Sequence, residues 1–230
     1  MKARSVCAAG LAALLLLTAC VTARRPPGAE TSAVPAAATV DALAAAIKLD
    51  ADRSDREPDA GARAKLAADA TRTAQSCLAR QPRAAACLYG RAVAQGLEAK
   101  AHPTRASGLL KSMLESLTDA DQADPQYDHA GPARVRALVL IRAPGWPLGP
   151  GDLDSGLAEA RRAVMLSPGY PPNLLALAEA LAKSGDRGAA SDSYARAREA
   201  AQALPESADR QDWLKQAAGG LQQNQALPRP

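Results

Sequence analysis

The sequence predicts an all-α protein: a helical solenoid of stacked antiparallel helix pairs, about eight or nine helices in all. Three observations carry that expectation. The first is an internal period. Within residues 151–202, Gly151-Asp152 recurs as Gly185-Asp186, Gly156 as Ala190 and Ala163 as Ala197, each pair 34 residues apart. A fixed period of that length marks a repeat architecture. The second is the spacing between the copies. Leu174, Leu177, Ala178 and Leu181 follow Pro168 as one face of a helix. The third is composition. The chain is 47% hydrophobic but only 3% aromatic, with no Phe. Much of the apolar content is alanine, the best helix former, and a core without large rings needs the close backbone approach that stacked helices provide.

The first residues are set apart from this pattern. Lys2 and Arg4 precede an apolar run, Cys7–Thr18, which is too short to span a bilayer and has the layout of an export leader. Leu17-Thr18-Ala19-Cys20 resembles the lipobox of bacterial lipoproteins, in which the cysteine carries the lipid. The expected organisation is a signal peptide over 1–19, a lipidated Cys20 with a disordered tether over 20–38, a helical domain over 39–223 and a frayed tail over 224–230. Stable anchoring takes at least two acyl chains, and the lipobox resemblance implies two or three. Val21, where inner-membrane retention uses aspartate, implies the outer membrane facing the periplasm in a Gram-negative cell. Residues 21–38 hold three prolines and small side chains, the composition of a linker.

Thr39–Asp50 reads as the first helix, and Arg53–Gly61 as a charged loop around Pro58. Ala62–Gln81 and Arg83–Lys100 are two helices separated by Pro82, which ends the first. Cys77 stands five residues before Pro82, as Ala163 stands before Pro168. Ala92 and Ala178 each stand ten residues after those prolines, so this is a weaker copy of the repeat. Cys7 leaves with the leader and Cys20 takes lipid. In an oxidising compartment this predicts a Cys77–Cys87 disulfide; the alternatives are two buried thiols or a redox pair, which the ten-residue spacing does not favour. Leu109, Leu110, Met113, Leu114 and Leu117 form one apolar face of a helix outside the repeat register, expected as an insertion. Gln122–Ala130 reads as a loop. Gly131–Ala143 is a very apolar helix with Pro132 in its first turn, where proline is tolerated. Pro144–Gly151 is a stiff loop with three prolines and Trp146. Asp152 and Asp186 are expected to begin helices, and residues 151–202 are expected to form two helix pairs. Glu206–Gln223, with Trp213 and Leu214, reads as the capping helix that a solenoid end requires.

The 34-residue helix–turn–helix period resembles that of tetratricopeptide repeats. Over Gly131–Ala190, the pattern GPARVRAL, APGWPLGPGD, GLAEARRAV, PGYPPNLLALAEAL and GDRGAA resembles the lipoproteins known as T-components of TRAP transporters. The resemblance implies a non-catalytic periplasmic scaffold that works with a solute-binding protein, handles a small ligand such as an organic acid, and forms trimers with a central pore. An alternative is an envelope assembly factor for secretins, pili or outer-membrane proteins, built from such repeats on a lipid anchor.

Chemistry-bearing motifs are sparse. The sequence shows neither a Gly-rich phosphate loop nor a Gly-x-Ser-x-Gly elbow. His102 and His129 stand in different loops without paired ligand spacing, so neither a metal site nor a cofactor is expected. Carboxylates lie scattered on helix exteriors with no acid/base couple. Together these argue against an enzyme. After loss of Lys2 and Arg4, 26 of the 28 basic residues face 24 acidic ones. That balance, without a basic stripe interleaved with aromatics, argues against nucleic acid.

The candidate partner- or ligand-binding residues are Trp146, Arg134, Arg136, Tyr127 and His129. Trp146 could stack on a ligand or partner, but the preferred reading is that it folds back into the groove between helix pairs. Arg134 and Arg136 are two apart and cannot share a helix face. One is expected in solvent, the other on the concave surface, where it meets an anionic ligand. Tyr89, Tyr170 and Tyr194 read as packing positions within the repeats.

Overall fold

Nine α-helices occupy residues 38–226, the part of the chain that the computed structural model describes. The expected leader, Cys20, the expected tether as far as residue 37, and residues 227–230 lie outside the described residues. The helices are α1 (Val40–Arg56), α2 (Ala60–Arg80), α3 (Ala85–Ala101), α4 (Ala106–Ala123), α5 (Tyr127–Arg142), α6 (Leu153–Leu166), α7 (Pro171–Lys183), α8 (Arg187–Gln202) and α9 (Ala208–Ala226). Each packs on its neighbour in sequence. The odd-numbered helices also pack on one another, whereas the backbones of α2, α4, α6 and α8 approach only their sequence neighbours, α4 and α6 being joined by the Arg162–Asp121 ion pair. The chain is therefore four antiparallel pairs closed by α9, with an inner layer of odd helices and an outer layer of even ones.

Local chemistry sets the helix starts. Thr39, Asp59, Asp152 and Asp186 each accept a backbone N–H three residues on, at 3.2, 2.7, 3.0 and 3.1 Å. Each cap satisfies one of the orphan donors of a first turn. The Asp152 carboxyl is held below the usual carboxylate range by the backbone N–H and then the hydroxyl of Ser155. Gly185, at φ 90°, ends α7 in the left-handed conformation that favours glycine.

The core runs through the stack as a chain of small clusters. Ile47, Ala67, Ala70, Ala74, Ala94 and Leu97 join the first helices. Ala137, Ile141, Ala160, Leu177, Leu181 and Ala190 join the middle ones. Leu174, Leu175, Ala197 and Ala217 seal α9 onto α7 and α8. The Cys77 and Cys87 sulfurs lie 2.04 Å apart, at disulfide distance, and pack with Leu43. The disulfide ties α2 of the first pair to α3 of the second.

Several expectations are corrected. The Leu109–Leu117 helix is no insertion: α4 is the regular outer partner of α3. Met113 on α4 rests against Gly96 on α3, where an added Cβ would stand 3.2 Å from the Met113 thioether. Size has been exchanged across this pair, large on the outer helix and glycine on the inner, so the small-residue signature is missing from its usual place. Residues 151–202 hold three helices, α6 to α8, and not two pairs, because one period contains one inner and one outer helix. The first helix runs on through the expected loop to Arg56, and α9 extends into the expected tail as far as Ala226. None of the described helices is long and apolar enough to cross a membrane.

Candidate functional site: the concave groove

The inner helices curl until the first faces the last. Lys48 on α1 reaches Asp209 on α9 at 3.8 Å while holding Asp52 at 3.0 Å. Between them lies a cavity of 630 Å³ lined from α1, α3, α5, α7 and α9, a volume typical of binding sites. A second cavity of 1150 Å³ continues along α5, α7 and α9. The two share Arg134, Pro172, Asp212, Trp213 and Gln216, and so form halves of one groove.

A polar cluster holds the middle of this groove. Asp128, His129 and Ala130, at the start of α5, have φ of 50°, 55° and 63°. Left-handed conformation is uncommon for single non-glycine residues and costs about 1–2 kcal/mol for each. Three in succession persist only where the surroundings over-determine them. Arg134 supplies that restraint from the next turn. One of its terminal nitrogens donates to the carbonyls of Asp128 at 3.1 Å and His129 at 3.3 Å, and to Asn173 Oδ1 at 3.0 Å. The other donates to Asp128 Oδ2 at 2.6 Å. Asn173 is fully buried on α7 and donates in turn to the carbonyls of His129, Ala163 and Ser167. One asparagine thereby ties the left-handed turn to the carbonyl end of α6.

Aromatic rings frame the cluster. Tyr89 meets Tyr127 edge-on at 5.4 Å and donates its hydroxyl to Asp128 Oδ2 at 3.1 Å. His129 stacks on Tyr170 at 4.3 Å, and Tyr170 meets Trp213 edge-on at 5.6 Å. The Arg134 guanidinium stands 5.2 Å from the Tyr170 ring centre, within cation–π range. Burial opposes the Arg134 charge, but Tyr89, Asp128 and Tyr170 more than offset it, and its pKa is raised. Burial first, and then the field of Asp128, push the Tyr127 hydroxyl up.

The five candidate residues fall in different places. Tyr127 and Arg134 line the groove, while Arg136, His129 and Trp146 do not. The expectation that one arginine faces solvent is wrong, because both are recruited to pack helices together. Arg134 is 7% exposed, and its donors are turned on Asp128 and Asn173. Arg136 runs between the outer helices, from Thr118 on α4 to Glu159 on α6. The expected fold-back of Trp146 is also overturned. The side chain is 89% exposed. The Pro144–Gly151 loop closes on itself, with Gly151 N–H donating to Pro144 O at 2.8 Å and Asp152 N–H to Leu140 O at 2.9 Å. Leu148 in the same loop is exposed as well.

Sequence reasoning missed Asp128, Asn173, Trp213 and the groove carboxylates. Trp213 was legible as a large aromatic in an alanine-rich helix, although its meeting with Tyr170 was not. Among the described residues, no group of His, Cys, Asp and Glu could hold a metal ion.

This arrangement of inner and outer helices around a concave face defines the class: a degenerate tetratricopeptide-type solenoid. The solved structure of a thermophilic tetratricopeptide-repeat protein from Thermus thermophilus is similar over 80% of this chain and 92% of that one, with a TM-score of 0.53 and 24% identity. The sequence matches no protein-family model and no curated protein.

Proposed function

We propose that this chain is a non-catalytic interaction scaffold, lipid-anchored through Cys20 at the outer membrane, whose concave groove receives a segment of a protein partner. The observation that carries this reading is the continuous groove, presented by five successive inner helices and floored by Tyr89, Tyr127, Tyr170 and Trp213. Aromatic side chains of this kind are the usual anchors of binding surfaces. The lipobox at residues 17–20 supports the anchor. The Trp146 loop, within its degenerate repeat, supports a role like that of a T-component, with a periplasmic solute-binding protein as the partner. The donors of Arg134 are taken up by Asp128 and Asn173 and so are not offered to a small anion, which favours a protein segment over a small anionic ligand at that residue.

The test is site-specific photo-cross-linking in the envelope of the source cell, with the reactive residue at Gln216 in the groove or at exposed Lys111 on α4. Cross-linking of a solute-binding protein from Gln216 and not from Lys111 is the expected result. Equal yield from both positions would remove the groove from the reading, and a pilus, secretin or barrel-assembly partner would replace the T-component role with an assembly role. Separately, Cys20→Ala is expected to leave unprocessed precursor, and normal processing would sink the lipid anchor.

A further inference from the structure

The two halves of the groove carry opposite charge. The half bounded by α1 and α3 is lined by six carboxylates, Asp41, Asp52, Asp55, Asp128, Asp209 and Asp212, against Lys48 and Arg134. The half bounded by α7 and α9 is lined by five cations, Arg134, Arg142, Lys183, Arg187 and Lys215, against Glu179 and Asp212. Most of these charges are engaged within the protein: Asp128 with Arg134, Asp55 with Lys100, Asp52 and Asp209 with Lys48, and Glu179 with both Arg142 and Lys183. Others are not. Asp41 in the acidic half, Lys215 in the basic half and Asp212, which lines both, hold no ion-pair partner among the described residues. The seam between the halves is Trp213, which lines both.

From this separation we infer that the groove selects an extended peptide segment whose own charges are segregated: lysine or arginine at the end lying against α1 and α3, and carboxylates at the end lying against α7 and α9. The inference rests on the reading that the concave face is the partner site, and adds which partner sequence fits and which way round it lies. Charge complementarity fixes register and suppresses wrong partners. A uniformly basic segment meets repulsion from the second half, and a uniformly acidic one from the first. A segment with the same residues alternating loses the match at every other position. The Trp213 seam takes an apolar residue lying between the blocks, because apolar burial is non-directional.

The experiment uses fluorescent synthetic peptides with the folded domain. One has a lysine block and a glutamate block separated by alanine and leucine; one has the same residues alternating; two more are all-lysine and all-glutamate. The block peptide is expected to bind roughly tenfold more tightly than any of the others, with the margin shrinking as salt screens the exposed charges. Equal binding of the block and alternating peptides overturns the inference, as does failure of the block peptide to bind. A photo-reactive group at the lysine end is expected to mark α1 and α3, and marking of α8, which lines only the basic half, overturns the orientation. Asp41→Asn and Lys215→Gln, both exposed and remote from the core, are each expected to weaken the block peptide about threefold; an unchanged affinity in both variants counts against the inference. If Gln216 still captures a protein in the cell while charge order makes no difference, the charge rule alone falls. If Gln216 captures nothing, the groove reading falls with it.

Discussion

Arg134 shows how a residue can look like a ligand contact and be the keystone of its own site. In the sequence it is an arginine on an apolar helix, a placement that suggests a concave charge awaiting an anion. In the structure its guanidinium is spent on a three-residue left-handed turn, which the sequence gives no reason to expect. Asp tolerates that conformation, but His and Ala gain nothing by it, and there is no glycine until Gly131. The cause is tertiary: Asn173, 39 residues away, meets Arg134 at 3.0 Å and holds the His129 carbonyl as well. Arg134→Met roughly keeps the volume but leaves the Asp128 carboxylate with only the Tyr89 hydroxyl and removes the Arg134 donor from the Asn173 amide oxygen. A buried pair broken from one side costs about 3–5 kcal/mol; Asp128 is partly exposed, so about 2–4 kcal/mol is expected here. Urea unfolding measures the loss, and amide exchange of residues 128–131 should rise far more than that of α2. A variant within 0.5 kcal/mol of the parent, on the scale of an ordinary surface substitution, would show that the turn needs no such restraint.

At the scale of elements, what was legible followed the small residues. Gly156 approaches α5 so closely that a Cβ would stand 2.4 Å from Ile141 Cγ2 and 3.3 Å from the Ala137 carbonyl. Its echo, Ala190, is fully buried in the same middle core cluster. That requirement recurs from α6 to α8 and leaves a period in the sequence. The period disappears at α4, where Met113 stands against Gly96 of α3, and so this outer helix reads as an insertion. The disulfide also acts between elements. It closes a loop of ten residues between the outer helix of one pair and the inner helix of the next. By the chain-entropy account a loop that short restrains the unfolded state by about 2–3 kcal/mol. Replacing both cysteines by alanine is expected to lower stability by at least that much, since both side chains are fully buried and their sulfurs pack against Leu43. Reduction of the parent protein should reproduce most of the loss, and a reductant with no effect on the unfolding midpoint would sink the assignment.

The whole molecule raises a different question: what holds the curve that makes the groove. Two agents are available. One is the meeting of the ends through Lys48 and Asp209; the other is the stacking of each inner helix on the next. The ion pair spans 3.8 Å with both side chains at least half exposed, and such pairs contribute about 0–1 kcal/mol. Stacking at the closing end buries Leu174, Leu175, Ala197 and Ala217 with the half-buried Trp213 packed against them, and truncation of one buried leucine alone costs about 2–5 kcal/mol. In a solenoid, stability is nearly a sum of such nearest-neighbour interfaces, so curvature should survive loss of the end-to-end contact. Lys48→Ala is therefore expected to leave the unfolding free energy within about 0.5 kcal/mol and the small-angle scattering profile unchanged. A chain ending at Ala203, which lacks α9, should lose several kcal/mol, with amide protection falling first in α8 and α7 and last in α3, behind the disulfide. The reverse pattern, a Lys48 variant that opens the profile and a truncation that is tolerated, would mean that the groove is a ring closed at its ends. Its width, and with it the reach of any segment lying across the two charged halves, would then respond to salt.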